Sequence, residues 1–347
     1  MINLIWSIPL AYLAILFLDK VSGDMTIKWL EFLAEKYNLN RTIFRLMLAY
    51  STSVPEIAIN ALSLYVFRED PLVGLGTIIG SAIFQLSPVI SFPLLVSKNQ
   101  AQLDKIVVFK SLGIFGVLTT MLIGFIITGK TLVWWEAGII ALTYTVYMVW
   151  AARTDNSVEE EALEEEEEEP AKGLGKFVEI CLSWIPKPTE KTWLPTGLVI
   201  TLLISAALCA LLMNLAGVIG DALSLSALFM SVTLLAGSSS GPELSSGVIL
   251  AKKGQTQDAV ASAIDSNGVD TAHSFGLVSI PALVIWGAIN IDLATFSEII
   301  TNLVWLVVFI VYLVVYGVIT KFKLGKWFAY GNIALYILYV VSLLIMQ

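Results

Sequence analysis

Apolar residues come in long runs separated by short charged breaks. Ten such runs can be counted, centred near residues 11, 55, 84, 117, 142, 206, 237, 273, 309 and 336. A helix needs about 20 apolar residues to cross the hydrocarbon core of a bilayer, and several of the runs exceed that length. The short alternating segments of a membrane β-barrel are missing. The pattern therefore predicts an all-α membrane protein with ten transmembrane helices. The first run, near residues 4–18, has no basic stretch before it and no small-residue cleavage site after it. It reads as a retained helix, not a signal peptide.

A charged segment, residues 153–193, divides the ten runs five and five. An odd number per half forces the halves into opposite orientations, so the expectation is two inverted five-helix repeats, residues 1–152 and 194–347. The basic residues sort accordingly. With the N-terminus outside, inward loops hold eighteen Lys and Arg, and outward loops hold only Arg68 and Lys130. Such a bias is the positive-inside signature. It puts the segment 153–193 in the cytosol of a multi-pass protein, with the cell membrane as the expected location.

Composition adds little beyond this. With 57% hydrophobic residues, the chain carries more apolar surface than a soluble domain needs. The net charge of −8 is mostly local: residues 153–193 hold twelve acids and five bases, a net −7. The low isoelectric point thus describes one loop and implies no nucleic-acid partner. Nine of those acids are Glu between residues 159 and 169. The run reads as a solvated spacer, with a weak Ca²⁺ sink or regulatory element as the sharper alternative. After it, Phe177, Ile180, Cys181 and Trp184 share one helical face, the pattern of an interfacial amphipathic helix. Cys181 and Cys209 form no metal or redox motif and are expected to be reduced and inert. No phosphate-binding G-x-x-x-x-G-K-[ST] loop occurs, which argues against ATP-driven pumping. No cofactor is expected, and protein partners are left open.

Two stretches spell nearly the same thing: Thr52-Ser53-Val54-Pro55-Glu56 and Ser239-Ser240-Gly241-Pro242-Glu243. Each sets a hydroxyl pair, a proline and a glutamate inside an apolar run. A charge at mid-membrane costs roughly 2.5–3.5 kcal/mol on insertion scales. Pro55 cannot donate to the carbonyl of Ser51, nor Pro242 to that of Ser238, so both ladders loosen there. Freed carbonyls, hydroxyls and the two carboxylates make all-oxygen sets, which hard cations prefer. The plainer reading is a pair of buried structural hydrogen bonds.

Each stretch is followed by a second one. The first half has Gly76-Thr77-Ile78-Ile79-Gly80-Ser81-Ala82-Ile83-Phe84-Gln85, and the second has Ser262-Ala263-Ile264-Asp265-Ser266-Asn267-Gly268-Val269-Asp270. Ser81 and Gln85 are four apart, as are Ser266 and Asp270, so each pair shares a helix face. From Glu56 to Ser81 is 25 residues, and from Glu243 to Ser266 is 23. The small residues Gly76, Gly80, Gly237, Gly241 and Gly247 are expected to allow close helix approach.

These motifs, over about residues 41–97 and 228–285, resemble the two α-repeats of the cation/Ca²⁺ exchanger superfamily. Those read roughly G-T-S-x-P-E and G-N-x-x-G-S-N-I-F-N/D. The chain looks most like the Na⁺/Ca²⁺-exchanger branch; the G-N-A-x-E motifs of the Ca²⁺/H⁺ branch do not occur. The resemblance implies a secondary antiporter that exchanges Ca²⁺ for Na⁺, with small inorganic cations and the bilayer as its partners. It implies that Glu56 and Glu243 are shared carboxylates of a central metal site. Thr52, Ser53, Ser239 and Ser240 match hydroxyl or backbone ligands, and Ala49 and Ala236 match carbonyls that bind Na⁺. Ser81, Gln85, Ser266 and Asp270 match the remaining ligand positions. Ser239 stands where the family usually has Thr, Thr77, Ser262, Ala82 and Gln85 where it has Asn, and Asp265 where it has Gly. Those departures bear on which ions are carried more than on the fold.

Asp265 is a further candidate ligand with a structural role as its rival. His273, the single histidine, lies three residues after Asp270. It reads either as a hydrogen-bonded packing residue or as a proton-sensitive neighbour of that acid. With Gln85, these residues motivate H⁺ or another divalent ion as alternative substrates. A passive cation channel is a further alternative. Gly237-Ser238-Ser239-Ser240-Gly241 formally matches the G-x-S-x-G of serine hydrolases, but it lacks the strand–turn–helix setting of that motif.

Overall fold

A computed structural model describes residues 2–37, 41–67, 72–98, 100–103, 105–154, 173–188 and 196–347. The glutamate run of 159–169 and Arg68 lie outside the described residues. The chain is almost wholly helical. In the first half, α1 (Ile2–Leu18) passes through widened π-type turns at Asp19–Met25 into α2 (Thr26–Tyr37). There follow α3 (Arg41–Thr52), α4 (Val54–Tyr65), α5 (Leu72–Phe84), wide turns at Gln85–Val89, α6 (Ile90–Val96), α7 (Lys105–Gly129) and α8 (Trp134–Thr154). A short α9 (Leu174–Leu182) stands between the halves.

The second half repeats the order. It runs α10 (Thr196–Leu223), α11 (Ala227–Met230), wide turns at Ser231–Leu235, α12 (Ala236–Ser239), α13 (Gly241–Lys252), α14 (Thr256–Val269), wide turns at Asp270–Leu277, α15 (Val278–Trp286), α16 (Leu293–Ile319) and α17 (Lys326–Ile345). Two-residue strands tie loops of one half to loops of the other. β1 (Ala101–Gln102), before α7, pairs antiparallel with β4 (Lys323–Leu324), between α16 and α17. β2 (Thr131–Leu132), between α7 and α8, pairs antiparallel with β3 (Ile289–Asn290), before α16. Each half thus offers its two loops to the opposite loops of the other.

Among the described residues, seven helical segments are long and apolar enough to cross a membrane. The expected segments through 41–65, 227–252 and α8 do not reach that measure. The first two are each broken by a proline and carry hydroxyls and a glutamate, so no uninterrupted apolar stretch remains. In α8, Glu136 and Arg153 occupy the two ends.

Burial is inverted relative to a soluble protein. Outer helices expose apolar side chains, such as Leu203 on α10, Val304 on α16 and Ile337 on α17, while the centre buries Glu56, Ser81, Gln85, Asn60 and Asp270 completely. Glycines let the inner helices approach. A β-carbon on Gly80 would collide with the backbone of Val232 and stand 2.8 Å from the Ala236 β-carbon. Gly76, Gly237 and Gly247 also face a neighbour, whereas Gly241, expected to do the same, has nothing within 4 Å. Gly241 opens α13, where the chain has just turned.

Helix α9 has two faces. Val178, Leu182 and the following Ile185 are buried in a cluster with Val21, Leu16, Phe17 and Ile200. Phe177, Ile180 and Trp184 are exposed and Cys181 is half-buried, so the apolar face noted in the sequence points outward.

The Gly80 contact gives a direct test. Gly80→Ala should destabilise the protein by about 1–3 kcal/mol through overpacking. Gly113→Ala, with nothing within 4 Å of the new β-carbon, should be neutral or slightly stabilising, since Ala exceeds Gly in helix propensity by about 1 kcal/mol. Thermal unfolding in detergent would read both.

Candidate cation site

The two proline motifs fold alike. Ser53 (φ −79°, ψ 1°) ends α3 and Ser240 (φ −86°, ψ 9°) ends α12, each just before a proline in the first turn of the next helix. A proline belongs at that position, where its missing N–H is not needed. The break puts Glu56 and Glu243 in the first turns of α4 and α13. Helix N-termini favour a negative charge, which offsets part of the penalty of a carboxylate at this depth. Ala49 and Ala236 also match. The Ala49 carbonyl accepts from the Ser53 N–H at 3.0 Å and the Thr52 hydroxyl at 3.2 Å. The Ala236 carbonyl accepts from the Ser240 N–H at 3.1 Å and the Ser239 hydroxyl at 3.1 Å.

Helices and wide turns of both halves bring the side chains together. Ser81 of α5 is the hub: its hydroxyl donates to Glu56 Oε1 at 3.0 Å, lies 2.7 Å from the Ser240 hydroxyl and reaches Asp270 Oδ2 at 3.4 Å. Ser240 also donates to Glu56 Oε1 at 3.0 Å. Gln85 Nε2 donates to Asp270 Oδ2 at 2.8 Å and to Ser81 at 3.2 Å. Thr52 lies 3.4 Å from Ser266. The hydroxyls cross over between halves: Ser239 faces Glu56, while Thr52 faces Glu243 and Ser53 faces Asp270. Hydroxyls of each half thus reach an acid of the other, while Ser81 also serves Glu56 within its own half.

This set is buried but not saturated. Among the described residues, Ser53 Oγ, Glu56 Oε2, Gln85 Oε1 and both oxygens of Glu243 are buried with no hydrogen-bond partner. Glu56 and Asp270 are 0% exposed and Glu243 4%. Unpaired buried carboxylate oxygens are strongly unfavourable unless a proton or cation joins them. The carboxylates do not close on one point: among the described residues, no three His, Cys, Asp or Glu form a ready-made metal cluster. Serine hydroxyls stand between them, so the arrangement is a mixed oxygen site.

Asp265 and His273 fall outside the set. Asp265 precedes Asp270 by five residues, about 140° round the helix, and its carbonyl accepts from the Tyr144 hydroxyl at 3.3 Å. Both ring nitrogens of His273 are engaged, one by the Tyr50 hydroxyl and the other by Thr145 at 2.9 Å. The ring stacks on Tyr50 with centroids 5.6 Å apart. His273 thus clamps α3 and α8 to the wide turns after α14.

Two residues that the sequence reading passed over also belong here. Ser274 donates to Asp270 Oδ1 at 3.2 Å. Asn60 donates to the Ser274 carbonyl at 2.8 Å, with its own Oδ1 buried and unpartnered among the described residues. Each lies four residues after an acid, Asp270 and Glu56, and that spacing was the signal available for them.

The model of the sodium/calcium exchanger protein family matches residues 6–153 and 193–345. The chain belongs to that family. It is a family of transporters, not enzymes. Over 114 residues the chain is 31% identical to the Drosophila melanogaster sodium/potassium/calcium exchanger Nckx30C, which is 32% of this chain and 13% of that protein. Over 130 residues it is 27% identical to the Mus musculus sodium/potassium/calcium exchanger 4, covering 37% of this chain and 20% of the relative. The matched stretches thus span a fifth or less of those relatives. The fold resembles that of the sodium-calcium exchanger NCX_Mj, with a TM-score of 0.61 at 21% identity over 98% of this chain and 99% of the other. It also resembles the H⁺/Ca²⁺ exchanger CAX, with a TM-score of 0.69 at 12% identity over 97% and 82%. Exchangers named for different counter-ions therefore share this fold.

The clamp around His273 sets a prediction. His273→Ala should lower the thermal midpoint, since losing two buried hydrogen bonds costs about 1–3 kcal/mol, and should leave ⁴⁵Ca²⁺ binding intact. A loss of Ca²⁺ binding equal to that of Glu243→Gln would instead put His273 among the ligands.

Proposed function

We propose that this protein is a secondary antiporter that exchanges Ca²⁺ for Na⁺ by alternating access. The observation that carries the reading is the shared, unsaturated oxygen set of Glu56, Glu243, Asp270 and their hydroxyls, contributed by both halves. Hard oxygen ligands suit both ions. In this mechanism Glu56 and Glu243 hold one Ca²⁺, or Na⁺ ions occupy overlapping positions with the Ala49 and Ala236 carbonyls. Thr52, Ser53, Ser239, Ser240, Ser81, Gln85, Ser266 and Asp270 complete the sets. Competition for the same oxygens couples the two fluxes. A bound cation neutralises the acids and lowers the penalty of occlusion, whereas the unloaded site stays charged and resists crossing.

The architecture proposed with it is ten transmembrane segments in two inverted repeats, with the N-terminus outside and residues 153–193 in the cytosol of a cell-membrane protein. The strand pairs support an even number of crossings. β1 and β4 must lie on one side of the membrane, and six of the ten segments separate them. β2 and β3 share a side likewise, with four segments between. The segments containing α1 and α10, packed on each other, are the candidates to move against the rest.

A second reading keeps the site and changes the counter-ion to H⁺. It is favoured by the likeness to the H⁺/Ca²⁺ exchanger fold and by Gln85 in place of the family's Asn.

Purified protein in liposomes should accumulate ⁴⁵Ca²⁺ when loaded with Na⁺ and diluted into Na⁺-free buffer. Glu56→Gln and Glu243→Gln should each cut that flux about 100-fold or more, the loss expected for removing an interaction to a charged group worth about 3 kcal/mol. Both variants should remain monodisperse. Wild-type flux in either variant would overturn the proposal. Flux that ignores Na⁺ but follows a pH gradient would select the second reading.

A further inference from the structure

Asp19 is a carboxylate within a membrane-spanning segment that the central site does not use. It opens the wide-turn stretch Asp19–Met25 that follows α1. Widened turns inside helices occur often at functional sites. This stretch packs on both α10 and α13. Ser22 pairs with Ser205 of α10 at 2.6 Å. Gly23 lies so close to α13 that a β-carbon there would sit 3.5 Å from the Cα of Pro242. The Asp19 side chain faces Ser245 of α13. Its Oδ1 is buried with no hydrogen-bond partner among the described residues.

The neighbouring charges cancel without it. Lys20 Nζ lies 2.6 Å from Asp24 and 2.9 Å from Glu179 of α9, and Lys28 Nζ lies 3.0 Å from Asp24. Two lysines thus face three acids, Asp19, Asp24 and Glu179, which leaves one net negative charge among these groups. A net negative charge held partly out of water favours a counter-charge. Its surroundings are oxygen donors of the kind hard cations take.

We propose that Asp19, with the Ser245 hydroxyl and main-chain carbonyls of the Asp19–Met25 stretch, binds one Na⁺ ion where this stretch meets α13. One formal negative charge suits a monovalent ion, since Ca²⁺ would leave an excess positive charge at that depth. Ser245 lies two residues past Glu243, about 200° round the helix, so this ion sits on the outer flank of α13 and not in the central set. Bound there, it fastens the α1 segment to the helix that carries Glu243. The site goes beyond the exchange proposed above and does not require it.

The test is thermal unfolding of the full chain in detergent, in NaCl against choline chloride at equal ionic strength. The Glu56→Gln/Glu243→Gln double variant removes the central contribution. Na⁺ at ten times its half-saturating concentration should still raise the midpoint of that variant by about 2 °C. Adding Asp19→Asn should abolish the rise, and Asp19→Glu should retain part of it. In the otherwise unaltered protein, Asp19→Asn should leave the Ca²⁺-induced rise intact. No Na⁺-specific rise in the double variant, or a rise that survives Asp19→Asn, would overturn the site. If the double variant does not fold, equal Na⁺-induced rises in wild type and Asp19→Asn overturn it equally. A Na⁺ rise that depends on Asp19 without any exchange flux would sink the transport reading and leave this site standing.

Discussion

Inside a bilayer there is no water to satisfy a carboxylate, so each buried acid must find donors, a proton or a cation within the protein. Glu56, Glu243 and Asp270 meet that requirement only in part. Each lies beside a helix break or wide turn, where backbone dipoles and hydroxyls are available. Ser81, Ser240, Gln85 and Ser274 supply donors to Glu56 and Asp270. Several acceptor oxygens still go unmatched among the described residues. That shortfall leaves oxygens able to take a proton or a cation, which is what the proposed exchange requires.

The same requirement explains the shape around the site. Prolines at α4 and α13 interrupt the helices where ligands are needed, and unbroken helices surround them so that irregular backbone stays away from lipid. Glycine at Gly80 lets α5 press against the Ser231–Leu235 turns, which holds Ser81 within reach of both Glu56 and Asp270. Packing and chemistry are therefore linked: a side chain at position 80 would move the hub of the hydrogen-bond network.

At the periphery, α9 joins the halves to the α1 segment through Lys20–Glu179 and the Val21–Val178 cluster. Its Phe177, Ile180 and Trp184 face outward. Helix α9 is thus anchored against α1 and α10, which pack on each other across the repeats.

Much was legible from residue order alone. Run lengths identified a helical membrane protein, and duplicated proline–glutamate stretches with matched spacings pointed to Glu56, Glu243, Ser81 and Asp270, because period and spacing are local properties of a chain. For Asp265 and His273 residue order left a ligand role and a structural role side by side. Spacing places a residue on a helix face, but it does not say which neighbour that face meets. Tertiary packing set the Asp265 carbonyl against the Tyr144 hydroxyl and engaged both nitrogens of His273 with Tyr50 and Thr145. It also decided that Ser240 of one half serves Glu56 of the other, that Asn60 and Ser274 join the set, and that the stretch after Asp19 packs on α13. Those facts depend on helices brought together from distant parts of the chain, and no local pattern encodes such a meeting.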